Sequence, residues 1–401
     1  MDKDNVSPIF VTPKGFFFSA AEAAIKKPGR KDLALIYSEK ECVMAGVFTT
    51  NKIKAAPVRL DMERVKTGKG RAIIANSGNA NACTGVQGMN DAIEITDMVA
   101  RWLKVGSEEV YVCSTGVIGT PLPMGRIRLK VPRLVADLGK ATVYDAASAI
   151  MTTDTFAKMA TRRIRAGNRT AAITGMCKGA GMIRPNMATM LCFIMTDIRI
   201  GRSALRAALK SAVNKSLNRI TVDGDMSTND TVLAMANGAL GNSEIRKDSP
   251  EFKTFEAALS GVAYDLSRMI VKDGEGATKL VEIEVRNARS GRDADKAAFA
   301  VANSLLVKTA IYGNDANWGR IVAALGYSGA ALKEEDIDIL FGKVRIVKRG
   351  SSTGRDRGAT EVLKEKEIKI TIDLRAGVHS ARVLTCDLTE GYIRINAEYR
   401  T

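Results

Sequence analysis

With one histidine, His379, among 401 residues, the chain is poorly equipped for imidazole chemistry. A Ser/His/Asp triad would have to use that residue, which falls on a predicted strand near the C-terminus and reads as structural. The six cysteines at 42, 83, 113, 177, 192 and 386 contain no C-x-x-C pair, so neither a zinc site nor a disulfide framework is expected, and most read as buried thiols. No apolar stretch approaches the 18 or so residues of a spanning helix. The N-terminus, Met1-Asp-Lys-Asp-Asn-Val6, lacks the basic-then-apolar signature of a secretory leader and the Arg/Ser-rich character of a transit peptide, so a cytoplasmic enzyme or binding protein is expected. There is no P-loop, Gly179-Ala-Gly181 lacks the third glycine of a dinucleotide fingerprint, and the acids of 223–230 lack the mid-loop glycine and terminal glutamate of a calcium loop. That last string reads instead as a turn beside an active site.

What is present is an ordinary globular composition, 46% hydrophobic and 26% charged, long enough for one large or two intimately packed domains. A formal charge of +16 raises a nucleic-acid reading. The basic residues are dispersed among acids, as in Lys364-Glu-Lys-Glu-Ile-Lys369, so no nucleic-acid partner is expected. The positive potential instead suits steering of carboxylate substrates or an acyl-carrier phosphate.

Periodicity predicts paired strands at 33–38 and 43–48, a strand at 71–75, and a tight glycine- and asparagine-rich turn at 76–85. A helix from Asn90 should bury Ile93, Ile95, Met98, Val99, Trp102 and Leu103. Beyond it come a strand at 109–113, a helix over 132–150 and a strand at 170–175. After residue 189 the pattern gives a strand at 190–200, a helix capped by Ser203, a loop at 221–230 and a long helix opened by Ser249-Pro250. A strand at 279–285, helices at 293–310 and 318–325, and strands near 337–347, 367–374, 380–387 and 391–396 complete the chain. No short repeat and no clean linker appears.

The most informative stretch runs from Lys178 to Asp197. Its first part, with glycines at 179 and 181, Pro185 and Asn186, reads as an irregular loop, and Met190–Met195 as a buried strand. Thr189 sits at the junction. Taken alone, a threonine there is more often a hydrogen-bonded core residue than a reactive group.

The string Lys178-Gly-Ala-Gly-Met-Ile-Arg-Pro-Asn-Met-Ala-Thr-Met-Leu191 resembles the processing motif of the ornithine acetyltransferase (glutamate N-acetyltransferase) family of arginine biosynthesis. Four further segments agree in order: Gly46–Asn51, Asn76–Gly85, Gly313–Arg320 and Ile395–Thr401. The resemblance implies a four-layer α/β/β/α sandwich. It also implies autocatalytic scission of the Ala188–Thr189 bond, leaving an α chain of residues 1–188 and a β chain of 189–401 packed as one unit, with an α2β2 assembly.

The implied chemistry is acetyl transfer from N-acetylornithine to glutamate through an ester on Thr189, with no metal and no bound cofactor. Whether acetyl-CoA serves as a second donor is left open, and no signature for a coenzyme A arm is visible. Scission makes sense physically: a threonine hydroxyl is a weak nucleophile, and the freed α-amine, with an ordinary pKa of about 8, supplies a base on the same residue. The family's oxyanion pair falls on Thr115 and Gly116, which read otherwise as an ordinary strand-to-turn junction. Its substrate-binding positions fall on Thr152, Lys178, Thr189, Glu275, Asn396 and Thr401. Two glycines flanking Glu275 are expected to let backbone approach a ligand. Two rival readings remain: a self-cleaving N-terminal-nucleophile aminopeptidase or amidohydrolase passing its acyl group to water, and a basic nucleic-acid-binding protein.

Overall fold

A computed structural model of the chain describes residues 10–184 and 190–398. Its organising strand is β2 (Leu33–Phe48), a single 16-residue strand where two paired ones are expected. Its first half pairs antiparallel with β1 (Phe16–Ala21), a strand not foreseen from the sequence, and its second half, Val43–Phe48, pairs with a different strand on the same edge. The opposite edge takes β3 (Lys69–Asn79), whose register slips between Tyr37 and Cys42, and β3 lies parallel to β4 (Val110–Val117). β3 runs on to Asn79, so the first four residues of the expected turn at 76–85 are strand.

Around this half lie α1 (Ala56–Arg64), α2 (Gly85–Leu103), α3 (Met124–Ala136) and α4 (Val143–Ala149). α2 begins at Gly85, not Asn90, and buries Ala92, Ile95 and Val99 while Ile93 and Trp102 stay exposed, because the face that meets the sheet is set by small side chains. The helix expected over 132–150 is two: α3 ends after Ala136, and Thr142 caps α4 by accepting a hydrogen bond from the Asp145 N–H at 3.3 Å.

The second half of the sheet is built from β5 (Lys158–Ala166), β6 (Arg169–Lys178), β7 (Leu191–Thr196) and β8 (Thr231–Ala236), in the order β2-β8-β7-β6-β5. β5 and β8 are absent from the sequence reading. α5 (Arg202–Lys215) and α6 (Pro250–Lys272) cover its outer face. Alternate residues sort the layers. Phe18, Ile36, Ile73 and Tyr111 of the first half share one core with Met176, Phe193, Met195 and Met235 of the second. Their neighbours Leu35, Ile74 and Val112 pack under α2 and α3, whereas Ile173, Cys192 and Val232 pack under α5 and α6. The expected four-layer α/β/β/α order is therefore present, made by one eight-stranded sheet doubled over along β2.

The remainder forms a second, six-stranded sheet. It contains β9 (Leu280–Ala288), β10 (Asp338–Phe341), β11 (Val344–Lys348), β12 (Ser351–Ser352), β13 (Glu367–Asp373) and β14 (His379–Cys386), ordered β12-β11-β10-β13-β9-β14. Val281, Ile283, Val285, Ile370 and Val383 point to α7 (Gly291–Asn303), α9 (Trp318–Tyr327) and α10 (Asp356–Leu363). The helix expected over 293–310 is broken at Ser304, which caps the separate α8 (Leu305–Tyr312). The sheet's other face carries charge, with Lys369 3.0 Å from both Glu282 and Glu284. The segment expected as a strand at 391–396 belongs to a helix, α11 (Glu390–Glu398). His379 is exposed at the start of β14, and five of the six cysteines are buried, Cys83 being the exposed one. Among the described residues no helix is long and apolar enough to cross a membrane.

Candidate active site

β3 and β4 end side by side, and their ends are shaped by glycine. Gly116 has φ +135°, and a Cβ there would lie 2.3 Å from the Gly78 carbonyl carbon and 2.5 Å from the Asn79 nitrogen, so no side chain fits. The result is a backbone N–H at residue 116 with no side chain beside it. Thr115, buried, accepts a hydrogen bond through its Oγ1 from Lys178 Nζ at 3.2 Å. An ammonium only donates, so the threonine keeps its own hydroxyl proton to give to something else.

Lys178 closes β6, almost fully buried. Burial lowers the pKa of its ammonium below the ordinary value, against the opposing pull of nearby Asp154. Asp154 is itself buried, which alone would push its carboxyl up, yet the adjacent Lys178 and Lys158 ammoniums hold it down at about 2. Its oxygens receive the Lys158 Nζ at 2.6 Å, the Gly179 N–H at 2.7 Å and the Thr152 N–H at 3.0 Å. Lys158 also pairs with Asp273, which in turn accepts from the Thr155 backbone. One buried ion cluster thus fixes three chain segments: the 152–155 loop, the loop after Lys178 and the turn before Glu275.

Opposite this cluster, Glu275 is held by its N–H to the Ala180 carbonyl at 2.9 Å and accepts the Asn396 side-chain amide at 2.8 Å. Its carboxylate packs over Gly181, where a Cβ would come within 2.3 Å of Oε2 and push the Glu275 side chain aside. Gly276 does not approach a ligand as expected. It has φ +68°, and a Cβ there would lie 2.4 Å from the Tyr392 nitrogen, so it seats the start of α11. Gly274 faces Cys386. Both glycines serve packing of the turn.

Thr115, Gly116, Thr152, Lys178, Glu275 and Asn396 all line one cavity of about 240 Å3. Ala188, Thr189 and Thr401 lie outside the described residues. Met190, which follows Thr189 in the chain, donates its N–H to Asp230 Oδ1 at 3.0 Å. Asp230 is fully buried, burial raises its carboxyl far above the usual range, and its Oδ2 has no hydrogen-bond partner among the described residues. Met190 and Lys178 thereby bracket the segment carrying the predicted nucleophile.

Sequence reasoning missed several of these groups. Tyr392, Asp223 and Asp225 also line the cavity, and Asn229 ties its wall together by donating to the carbonyls of Ala80 at 2.6 Å and Ser114 at 2.7 Å. Asp223 accepts the backbone N–H groups of Met182 at 2.6 Å and Ile183 at 2.9 Å, and burial raises its carboxyl. Burial next to Asp223 likewise raises the Tyr392 phenol. The available signal was the acid- and amide-rich run Asp223–Asp230, which the sequence places beside the site without naming a role for any member.

The ArgJ family model matches residues 17–401. The chain belongs to the ArgJ family. An ArgJ relative from Geobacter sulfurreducens, an arginine biosynthesis bifunctional protein, is 55% identical over 390 residues, covering 97% of this chain and 99% of the relative. A protein of the same description from Caldanaerobacter subterraneus subsp. tengcongensis is 52% identical over 394 residues, covering 97% and 98%. Among solved structures, the ArgJ crystal structure from Bacillus halodurans is similar with a TM-score of 0.50 and 45% identity, over 52% of this chain but 98% of that one. The solved chain is thus only about half as long as this ArgJ chain.

Proposed function

We propose that this chain is the bifunctional acetyltransferase of arginine biosynthesis, acting in the cytoplasm. It transfers the acetyl group of N-acetylornithine to glutamate and also acetylates glutamate from acetyl-CoA. The observation that carries this reading is the convergence of Thr115, Gly116, Thr152, Lys178, Glu275 and Asn396 on one cavity, in an ArgJ-family chain.

In this reading Ala188–Thr189 is cut first, which frees the Thr189 amine. The Thr189 hydroxyl attacks the acetyl carbonyl of N-acetylornithine and passes its proton to that amine. Negative charge gathers on the carbonyl oxygen, where the Thr115 hydroxyl and the Gly116 N–H donate to it. Donors fixed in advance are worth about 3–4 kcal/mol each at such a site. Collapse breaks the C–N bond, the departing ornithine amine takes the proton, and the acetyl group remains as an ester on Thr189. Glutamate's amine then attacks the ester, and the threonine hydroxyl is regenerated. Glu275, Asp223 and Asp225 supply negative charge for ornithine's distal ammonium. Asn396 orients Glu275, and Lys178 keeps the Thr115 hydroxyl aimed at the oxyanion. Thr152 and Thr401 complete the substrate-binding set.

Two products, 1–188 and 189–401, then assemble as α2β2. The half-length chain of the solved relative supports scission, since a protein crystallised in two pieces would present such chains. Intact-mass measurement of purified protein tests this directly. We expect two masses divided before Thr189, one uncut and inactive chain from Thr189→Ala, and ping-pong kinetics with acetylornithine and glutamate. A wild-type chain that stays whole at full activity would overturn the reading.

A further inference from the structure

A second cavity of about 230 Å3 borders the acyl site, and its walls are basic. We propose that this cavity, lined by Lys26, Lys27, Arg30, Ser77, Gly78 and Thr152, holds the phosphate-bearing arm of acetyl-CoA. The inference rests on the bifunctional reading above and adds to it the place where the second donor is held.

Three observations point there. First, the two cavities share Thr152 and are divided by the Gly78–Gly116 pair, whose backbones touch. An occupant of the basic cavity is therefore one residue away from the oxyanion donors, and the partition on that side carries no side chains. Secondly, the basic loop is built to a fixed shape. Asp32, buried beneath it, accepts the N–H groups of Ala23 at 2.7 Å and Ile25 at 2.5 Å, and Glu22 accepts the Gly29 N–H at 2.9 Å. The Arg30 guanidinium spans the floor, donating to Ser77 Oγ at 3.3 Å and to the Met151 carbonyl. Thirdly, the charge is unbalanced. Lys26, Lys27 and Arg30 stand in the lining against the single carboxylate of Asp32, whose two oxygens are turned to backbone N–H groups, so basic side chains outnumber acids three to one. A diphosphate or ribose 3′-phosphate matches that surplus, whereas acetylornithine and glutamate carry no phosphate.

Initial-rate kinetics on the full chain with three acetyl donors test the assignment: acetyl-CoA, the phosphate-free thioester S-acetyl-N-acetylcysteamine, and N-acetylornithine. In Lys26→Glu/Lys27→Glu we expect the acetyl-CoA KM to rise about tenfold or more, as loss of charge-assisted contacts predicts. KM should remain unchanged for the two donors without phosphate. Adenosine 3′,5′-bisphosphate should compete with acetyl-CoA in the wild type, and inorganic phosphate only weakly. An unchanged acetyl-CoA KM in the variant, or an equal loss for all three donors, overturns the placement while leaving the bifunctional reading intact. A wild type that turns over acetylornithine but never acetyl-CoA overturns both.

Discussion

At the scale of single residues, the site depends on places where a side chain is excluded. Gly116 is the sharpest: its φ of +135° and the 2.3 Å approach to a carbonyl carbon leave no room for Cβ, and backbone cannot swing aside as a flexible side chain would. If Gly116 is the oxyanion donor proposed above, Gly116→Ala should displace it and lower kcat by about 100-fold or more. Measured turnover alongside circular dichroism at 20 °C would separate that loss from unfolding. Thr115 and Gly116 were legible only by likeness to a family motif, since a threonine-glycine pair after a strand is commonplace by itself. The glycines about Glu275 were legible as functional punctuation and misread in purpose. Sequence reports that a close approach exists, whereas its partner, the start of α11, lies more than a hundred positions away along the chain.

At the scale of elements, reading succeeded where the apolar period was long and local, as in α6, and failed where burial from both sides erased it. β8 is Thr-Val-Leu-Ala-Met-Ala, buried at every position, and presents no alternation to detect. α11 failed in the opposite direction, because Tyr392-Ile-Arg-Ile-Asn396 alternates like a strand while lying on a helix. One element carries a pH signature. Asp61 on α1 is fully buried and accepts the Val112 N–H at 3.0 Å, holding α1 against β4, the strand that carries Thr115 and Gly116. Burial pushes its carboxyl up to about 8, so folding takes up a proton. The sign follows: its contribution is complete below the unfolded pKa near 4 and is lost as pH rises toward about 8, at about 1.4 kcal/mol per pH unit. Asp61→Asn should flatten that slope in urea midpoints taken from pH 4 to 8, and an unchanged slope would refute the assignment.

At the scale of the whole molecule, the proposed cut divides neither layer from layer nor domain from domain. β6, from the first piece, pairs antiparallel with β7, from the second, over Ile173–Lys178 and Leu191–Thr196, and β2 pairs with β8 in the same way. The cavity is likewise shared, with Thr115, Thr152 and Lys178 on one piece and Glu275, Tyr392 and Asn396 on the other. The two halves should co-elute on size exclusion in buffer and part only in denaturant, because separation exposes a common core. Loss of either piece under native conditions would contradict the shared-sheet arrangement.

The doubled course of β2 also imposes a timetable on biosynthesis. Its second half finds β8 only after the ribosome has passed residue 236, far beyond the proposed scissile position, so a nascent 1–188 segment emerges with one strand edge still waiting. The proposed scission would accordingly follow folding, and separately translated halves would meet with complementary strand edges still unpaired.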